Sequence, residues 1–226
     1  MVKKLSLFLA AGLLADTCAS TTGGQQQRQL RQKRKLQVGR IIGGTPVSST
    51  DDYPFFCVTD PISCGCSIIA PDILLTAAHC SGAFRAGTTV HIGGLDADGS
   101  DAADTVTVAE RFVHPGFFAA ERGDDVMLVR LTRASTVTSF AQLNRQRNVP
   151  SGNDSVVAIG HGVADDGDVS DDLLAVTVPF VDHNTCDSRS YYNGAIIEDK
   201  MLCAGAEGID SCQGDSGGTS NRMIDT

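Results

Sequence analysis

Tryptophan is missing from this chain and aromatic residues make up only 5% of it, whereas glycine occurs 24 times. That balance suits a turn-rich β protein better than a helical one. No apolar run approaches the roughly 20 residues that cross a bilayer as a helix, so no spanning segment is expected. No fixed-period repeat is present, which speaks against a solenoid or repeat array. Basic side chains are scarce beyond residue 40. Residues 1–40 hold eight of the 18 Lys+Arg and one of the 27 Asp+Glu, leaving 10 basic and 26 acidic side chains and a formal charge of −16. Such a surface has no basic face to neutralise phosphate, so nucleic acid is not an expected partner.

The N-terminal 40 residues differ from the rest. Lys3 and Lys4 precede an apolar run over residues 5–14, and Thr17-Cys18-Ala19 supplies small residues for cleavage. Residues 1–19 therefore read as a secretory signal peptide. Cys18 reads as a discarded leader residue, because Asp16-Thr17 is a poor lead-in for lipidation. Residues 20–40 are polar, Gln-rich and basic, as a solvated tail would be. They end at Arg40, directly before Ile41-Ile42-Gly43-Gly44, and read equally well as a propeptide. The two readings agree, since a protease cuts exposed flexible chain.

From residue 41 onward, short apolar runs alternate with turn signals, the pattern of a sandwich or barrel. The runs cover 55–59, 66–70, 88–92, 105–108, 126–131, 156–159 and 174–178. A short helix is expected over 184–190. The stretch 96–104, from Asp96 to Asp104, reads as an acidic loop, and 165–172 as a second. Without Cys18, seven cysteines remain: Cys57, Cys64, Cys66, Cys80, Cys186, Cys203 and Cys212. In a secreted chain this means disulfides and one leftover thiol. A zinc site is the competing reading of Cys64-Gly65-Cys66 with His79 and Cys80. That spacing fits no common finger, and secretion favours disulfides.

Three stretches carry chemistry. Thr76-Ala77-Ala78-His79-Cys80 places a histidine at the end of an apolar strand. Asp124-Asp125-Val126-Met127-Leu128 places a carboxylate at the head of another. Asp210-Ser211-Cys212-Gln213-Gly214-Asp215-Ser216-Gly217-Gly218 sets a serine among turn-forming glycines. A serine hydroxyl is a poor nucleophile without an adjacent base and without amide donors for the developing oxyanion. The order His, Asp, Ser is that of the chymotrypsin type, not of subtilisin or the α/β-hydrolases. His79 would act as general base, the carboxylate would fix its tautomer, Ser216 would attack, and the amides of Gly214 and Ser216 would hold the oxyanion.

With Ile41-Ile42-Gly43-Gly44, Cys64-Gly65, Val113-His114-Pro115 and Gly160-His161-Gly162 added, the chain resembles the trypsin-like serine proteases of the chymotrypsin family from residue 41 to its last residues. The resemblance implies an all-β fold of two six-stranded antiparallel Greek-key barrels. It implies a secreted endopeptidase zymogen that hydrolyses bonds after Arg or Lys in protein or peptide substrates, with protease inhibitors as further partners. It selects Asp125 over Asp124 for the triad and leaves Asp124 a solvated strand-end charge. His91, His114, His161 and His183 become structural residues, with His161 where the family usually has tryptophan. Cleavage after Arg40 would free the amine of Ile41 to pair with Asp215. Asp210, six residues before Ser216, would form the floor of the specificity pocket and receive Arg or Lys by charge-assisted hydrogen bonds.

The resemblance also implies the disulfides Cys64–Cys80 and Cys186–Cys203. Cys57 and Cys66 are not usual family positions. They fall on what should be neighbouring strands of a hairpin, so a cross-strand bridge is expected. Some family members bind calcium where Asp96 to Asp104 lie. The spacing matches poorly, so a solvated loop is expected there and no cofactor is required. Asn153-Asp154-Ser155 is an N-glycosylation sequon.

The sequence departs from the family at its end. It stops at Thr226, ten residues after Ser216, and Thr219 replaces the usual proline. For the chain as it stands, the resemblance implies that the second barrel would be incomplete, that Cys212 would lack its usual partner, and that an open sheet edge would cost stability. Weak peptidase activity is the expectation for such a chain. The alternative function is a catalytically inactive homologue that binds a protease substrate or inhibitor.

Overall fold

The computed structural model describes residues 6–8, 44–146, 149–162, 170–188, 192, 194–195, 200–205 and 219–222. In chain order the strands are β1 (Ser6–Phe8), β2 (Thr45–Pro46), β3 (Phe56–Asp60), β4 (Gly65–Ala70), β5 (Ile73–Thr76), β6 (Thr89–Ile92), β7 (Asp104–Val113), β8 (Met127–Leu131), β9 (Gln142–Leu143), β10 (Ser155–Gly160) and β11 (Leu174–Val181). The short helix α1 (His183–Cys186) comes next, then β12 (Cys203–Ala204) and β13 (Thr219–Arg222).

Strand alternation builds the first half. Along β8, Met127, Val129 and Leu131 are buried while Leu128 and Arg130 face out. Along β6, Val90 and Ile92 are buried while their neighbours are partly open. A period of two puts every second side chain on the core face. Six strands close in the order β3-β4-β5-β8-β7-β6, all antiparallel, with β6 returning to pair with β3. Closure leaves no unpaired edge. Phe56, Ile68, Leu74, Phe84, Val90, Ile92 and Val129 fill the interior.

The second sheet runs β12-β11-β10-β13-β1-β9, with β2 also paired to β11. Its firmest ladder is β10 against β11, six residue pairs from Ser155↔Pro179 to Gly160↔Leu174. Val156 packs there with Leu174, Val176 and Val178. Val157 and Ile159, on the other face of β10, belong to the barrel's core cluster. One strand thus serves two cores. The fold is all-β, one closed barrel with a second sheet beside it, as the chymotrypsin-type resemblance implies. Ser6–Phe8, within the segment read as a leader, pairs with β13 and β9.

Some boundaries differ from the sequence expectations. The strand expected over 105–108 runs from Asp104 to Val113, because the register shifts between Val108 and Glu110 and pairing with β8 continues beyond the bulge. A bulge breaks the alternation on which a periodicity reading depends. Asp104 opens this strand and is not the end of a loop. The helix is His183–Cys186, one turn, capped by Asp182 accepting from the Thr185 amide. It starts one residue earlier than expected and ends where 187–188 leave the helix.

Candidate active site

Two neighbouring strands set the site. In the β5–β8 ladder Thr76 lies opposite Met127. Antiparallel pairing therefore brings the residues just after β5 and those just before β8 to one rim of the barrel. Ala77 and Ala78 come directly after β5 and are buried against the barrel, so the next side chain, His79, points outward from the 3-10 turn Ala78–Gly82. The Thr76 hydroxyl donates to the Gly65 carbonyl at 2.8 Å. The disulfide Cys64–Cys80 ties the same turn to the chain entering β4. Both anchors fix the backbone on either side of His79.

Asp125 sits two residues before β8 and is 1% exposed. It accepts the backbone N–H of His79 at 2.8 Å with one oxygen and reaches His79 Nδ1 at 2.6 Å with the other. A carboxylate only accepts, so Nδ1 carries the proton and Nε2 is left as the base. A buried carboxylate without such partners would be strongly unfavourable. The His79 side chain is 30% exposed, so its free edge is open to a reacting group. A histidine oriented by a buried carboxylate and presented at a rim is built to move a proton.

Arg40, Ile41, Asp210, Cys212, Gly214, Asp215 and Ser216 lie outside the described residues. The structure brings together the histidine and the carboxylate singled out in the sequence. It bonds Cys57 to Cys66, opposite one another in the β3–β4 ladder, and Cys186 to Cys203. Cys64, His79 and Cys80 place their ligand-type atoms within 4.8 Å of one another. Both sulfurs are consumed in the disulfide, so this trio in the oxidised chain is not a metal site.

The acidic stretch resolves into internal turns and one anchor. Asp101 accepts from the amides of Leu95 and Asp96, and Asp96 accepts from the Ser100 hydroxyl at 3.0 Å. The Ser100 amide on Asp98 holds that carboxyl below its usual range. Asp104 is different: its side chain is 7% exposed and takes a bidentate contact from Arg133 at 2.7 and 2.9 Å. Ser135 Oγ and the Thr136 amide also donate to it. The Arg133 guanidinium, foremost among these, holds the Asp104 carboxyl far below the carboxylate range. Asp104 thus braces the barrel, a role the sequence reading missed because Arg133 lies 29 residues away.

Asp124 is also not the solvated charge expected. Its carboxylate pairs with Lys200 at 2.5 Å and is only 20% exposed. Of the remaining histidines, His91 Nδ1 meets the Thr105 hydroxyl at 3.0 Å and His114 Nδ1 accepts the Gly116 amide at 3.2 Å. His161 is buried, packs 5.8 Å from the Phe56 ring and contacts the Ser170 carbonyl at 3.2 Å. Burial pushes its imidazole below the ordinary histidine value.

A disulfide-braced β-barrel whose rim aligns a buried aspartate with a histidine holds an imidazole oriented for proton transfer. Residues 41–223 match the trypsin family. The chain is 33% identical over 197 residues to Trypsin delta of Drosophila erecta, covering 80% of this chain and 73% of that protein. It is 31% identical over 185 residues to Trypsin alpha of Drosophila melanogaster, covering 80% and 72%. It is 29% identical over 192 residues to Ovochymase of Halocynthia roretzi, covering 79% of this chain and 12% of that protein. The chain belongs to the trypsin family of serine proteases.

Proposed function

We propose that this chain is a secreted zymogen of a serine endopeptidase, activated by cleavage after Arg40 and cutting peptide bonds after Arg or Lys. The observation that carries the reading is the double contact of Asp125 with His79, 2.8 Å to the backbone and 2.6 Å to the ring. In this reading residues 1–19 are the signal peptide and 20–40 the propeptide. Three disulfides support an oxidising destination. Ser216 attacks the scissile carbonyl while His79 Nε2 takes its proton and then delivers it to the leaving amine. Asp125 stabilises the imidazolium formed between the two transfers. The amides of Gly214 and Ser216 receive the oxyanion. Asp210 receives the substrate cation. The new amine of Ile41 pairs with Asp215 and orders the loop that bears Ser216, since a buried carboxylate is stable only when paired. Protein inhibitors would enter the same cleft. The reaction uses no cofactor, nucleic acid or membrane, and a calcium ion on the acidic stretch plays no part in it.

The test is activation of the chain with a trypsin-like protease, confirmation of Ile41 as the new N-terminus, and assay on peptide amides with Arg, Lys or Phe before the cleaved bond. Hydrolysis confined to Arg and Lys is expected, with covalent labelling by an organophosphonate that Ser216→Ala abolishes. The variant should lose on the order of 10⁴-fold or more in kcat. An activated chain that neither labels nor hydrolyses would overturn the proposal in favour of a binding homologue.

A further inference from the structure

Two adjacent carboxylates precede β8 and face different partners. Asp125 turns inward to His79. Asp124 adopts φ 55°, the one non-glycine residue with positive φ among the described residues. Aspartate is one of the few L-residues that enter the left-handed region readily, so the backbone permits this turn and the side chain's partner selects it. Here the surroundings are specific. The Asp124 carboxylate meets Lys200 Nζ at 2.5 Å. Two glycines make space for the pair. A Cβ on Gly116 would stand 2.8 Å from Asp124 Oδ2, and one on Gly123 would stand 2.8 Å from Lys200 Cβ. Gly123 itself has φ 74°, so a side chain there is excluded twice over.

The two partners come from different parts of the fold. Asp124 belongs to the barrel rim. Lys200 lies three residues before Cys203, which opens β12 of the second sheet and is bonded to Cys186. The pair therefore fastens the turn holding Asp125 to a disulfide-anchored segment 76 residues further along the chain. Side-chain exposures of 20% and 40% put it at the surface, where an ion pair adds little to global stability. Its effect is local: it fixes the backbone of the residue next to the buried carboxylate.

We propose that Asp124 and Lys200 are positioning residues, a strap that holds the left-handed turn so that Asp125 meets both the ring and the backbone amide of His79. This rests on the reading of Asp125 and His79 as the catalytic pair. Without the strap, Asp124 relaxes toward φ < 0, and the next peptide rotates with it. Asp125 then keeps its burial but loses its aim. A misplacement of about an ångström at a catalytic group is enough to cost one to two orders of magnitude in rate.

The experiment compares Lys200→Met, Lys200→Arg and Asp124→Asn with the parent chain. Two readouts are taken: kcat and KM on an Arg peptide amide after activation, and the proton resonance of His79 Nδ1–H in the intact, unactivated chain. Lys200→Met is expected to lower kcat about tenfold, with KM changed by less than about twofold. It should also broaden or abolish the Nδ1–H resonance, while Lys200→Arg restores both. Asp124→Asn keeps the shape and tolerates left-handed backbone, so it separates the two explanations of the turn. The strap requires this variant to be impaired as well, whereas a mere turn requirement leaves it at the parent level. Unchanged kcat and an unchanged resonance in Lys200→Met and Asp124→Asn overturn the proposal. If the parent chain itself does not hydrolyse the peptide, the endopeptidase reading fails, and the strap stands or falls on the His79 resonance alone.

Discussion

Asp104 and Asp125 are both buried carboxylates, yet they are held by different means and answer to different perturbations. Asp125 has an imidazole and one amide. Asp104 has a guanidinium, a hydroxyl and amides, and its carboxyl is held far below the usual range chiefly by Arg133. A depressed folded-state value means that the contribution is present above the unfolded carboxylate value, about 3.9, and is lost as pH falls below it toward the folded value. Asp104→Ala leaves the Thr136 amide without its acceptor and the half-exposed Arg133 with only the Ala134 and Thr105 carbonyls, and is expected to cost about 2 kcal/mol at neutral pH. Chemical denaturation at pH 7 and pH 3 checks this, with the gap between variant and parent narrowing at the lower pH. The ring pair at the rim is legible from short motifs, because each of its members sits in a local pattern that the chemistry demands. The Asp104–Arg133 and Asp124–Lys200 pairs are not, since nothing local marks which distant cation an aspartate will meet.

Among elements, legibility tracks period. Strands β6, β8 and the first six residues of β11 alternate cleanly, and β10 is a short apolar run buried on both faces; all four can be read from the sequence to within a few residues at each end. The two-residue strands β2, β9 and β12 have no period to read, and β7 outruns its expected end because its bulge resets the alternation. The hairpin β3–β4 puts Cys57 opposite Cys66, as a cross-strand bridge needs. The turn after β5 depends on covalent help. Cys64–Cys80 closes a loop of separation 16, for which the chain-entropy account gives about 3 kcal/mol. The double variant Cys64→Ser, Cys80→Ser should lose stability of that order in a denaturant titration. It should also slow organophosphonate labelling, because the turn that aims His79 would be held on one side only.

At the scale of the molecule, the meeting of barrel and second sheet adds a pH response in the histidine range. His161 comes directly after β10 and packs on Phe56 of β3. Its folded-state value is depressed by burial, so the unfolded chain binds the proton more readily. Stability is therefore full above about pH 6.5 and falls as pH drops through the unfolded histidine value toward the folded one. Melting temperatures between pH 7.5 and 4.5 should decline for the parent. The decline over the upper part of that range should be shallower in His161→Phe, which keeps an aromatic ring against Phe56 but cannot take up a proton. The same boundary has a mechanical side. Because β10 sends Val156 into one core and Val157 and Ile159 into the other, it is a party wall, and neither half can be pulled away without stripping apolar cover from its neighbour. The two halves are thereby bound into a single cooperative unit, in which damage on one side of the wall is felt as loosening on the other.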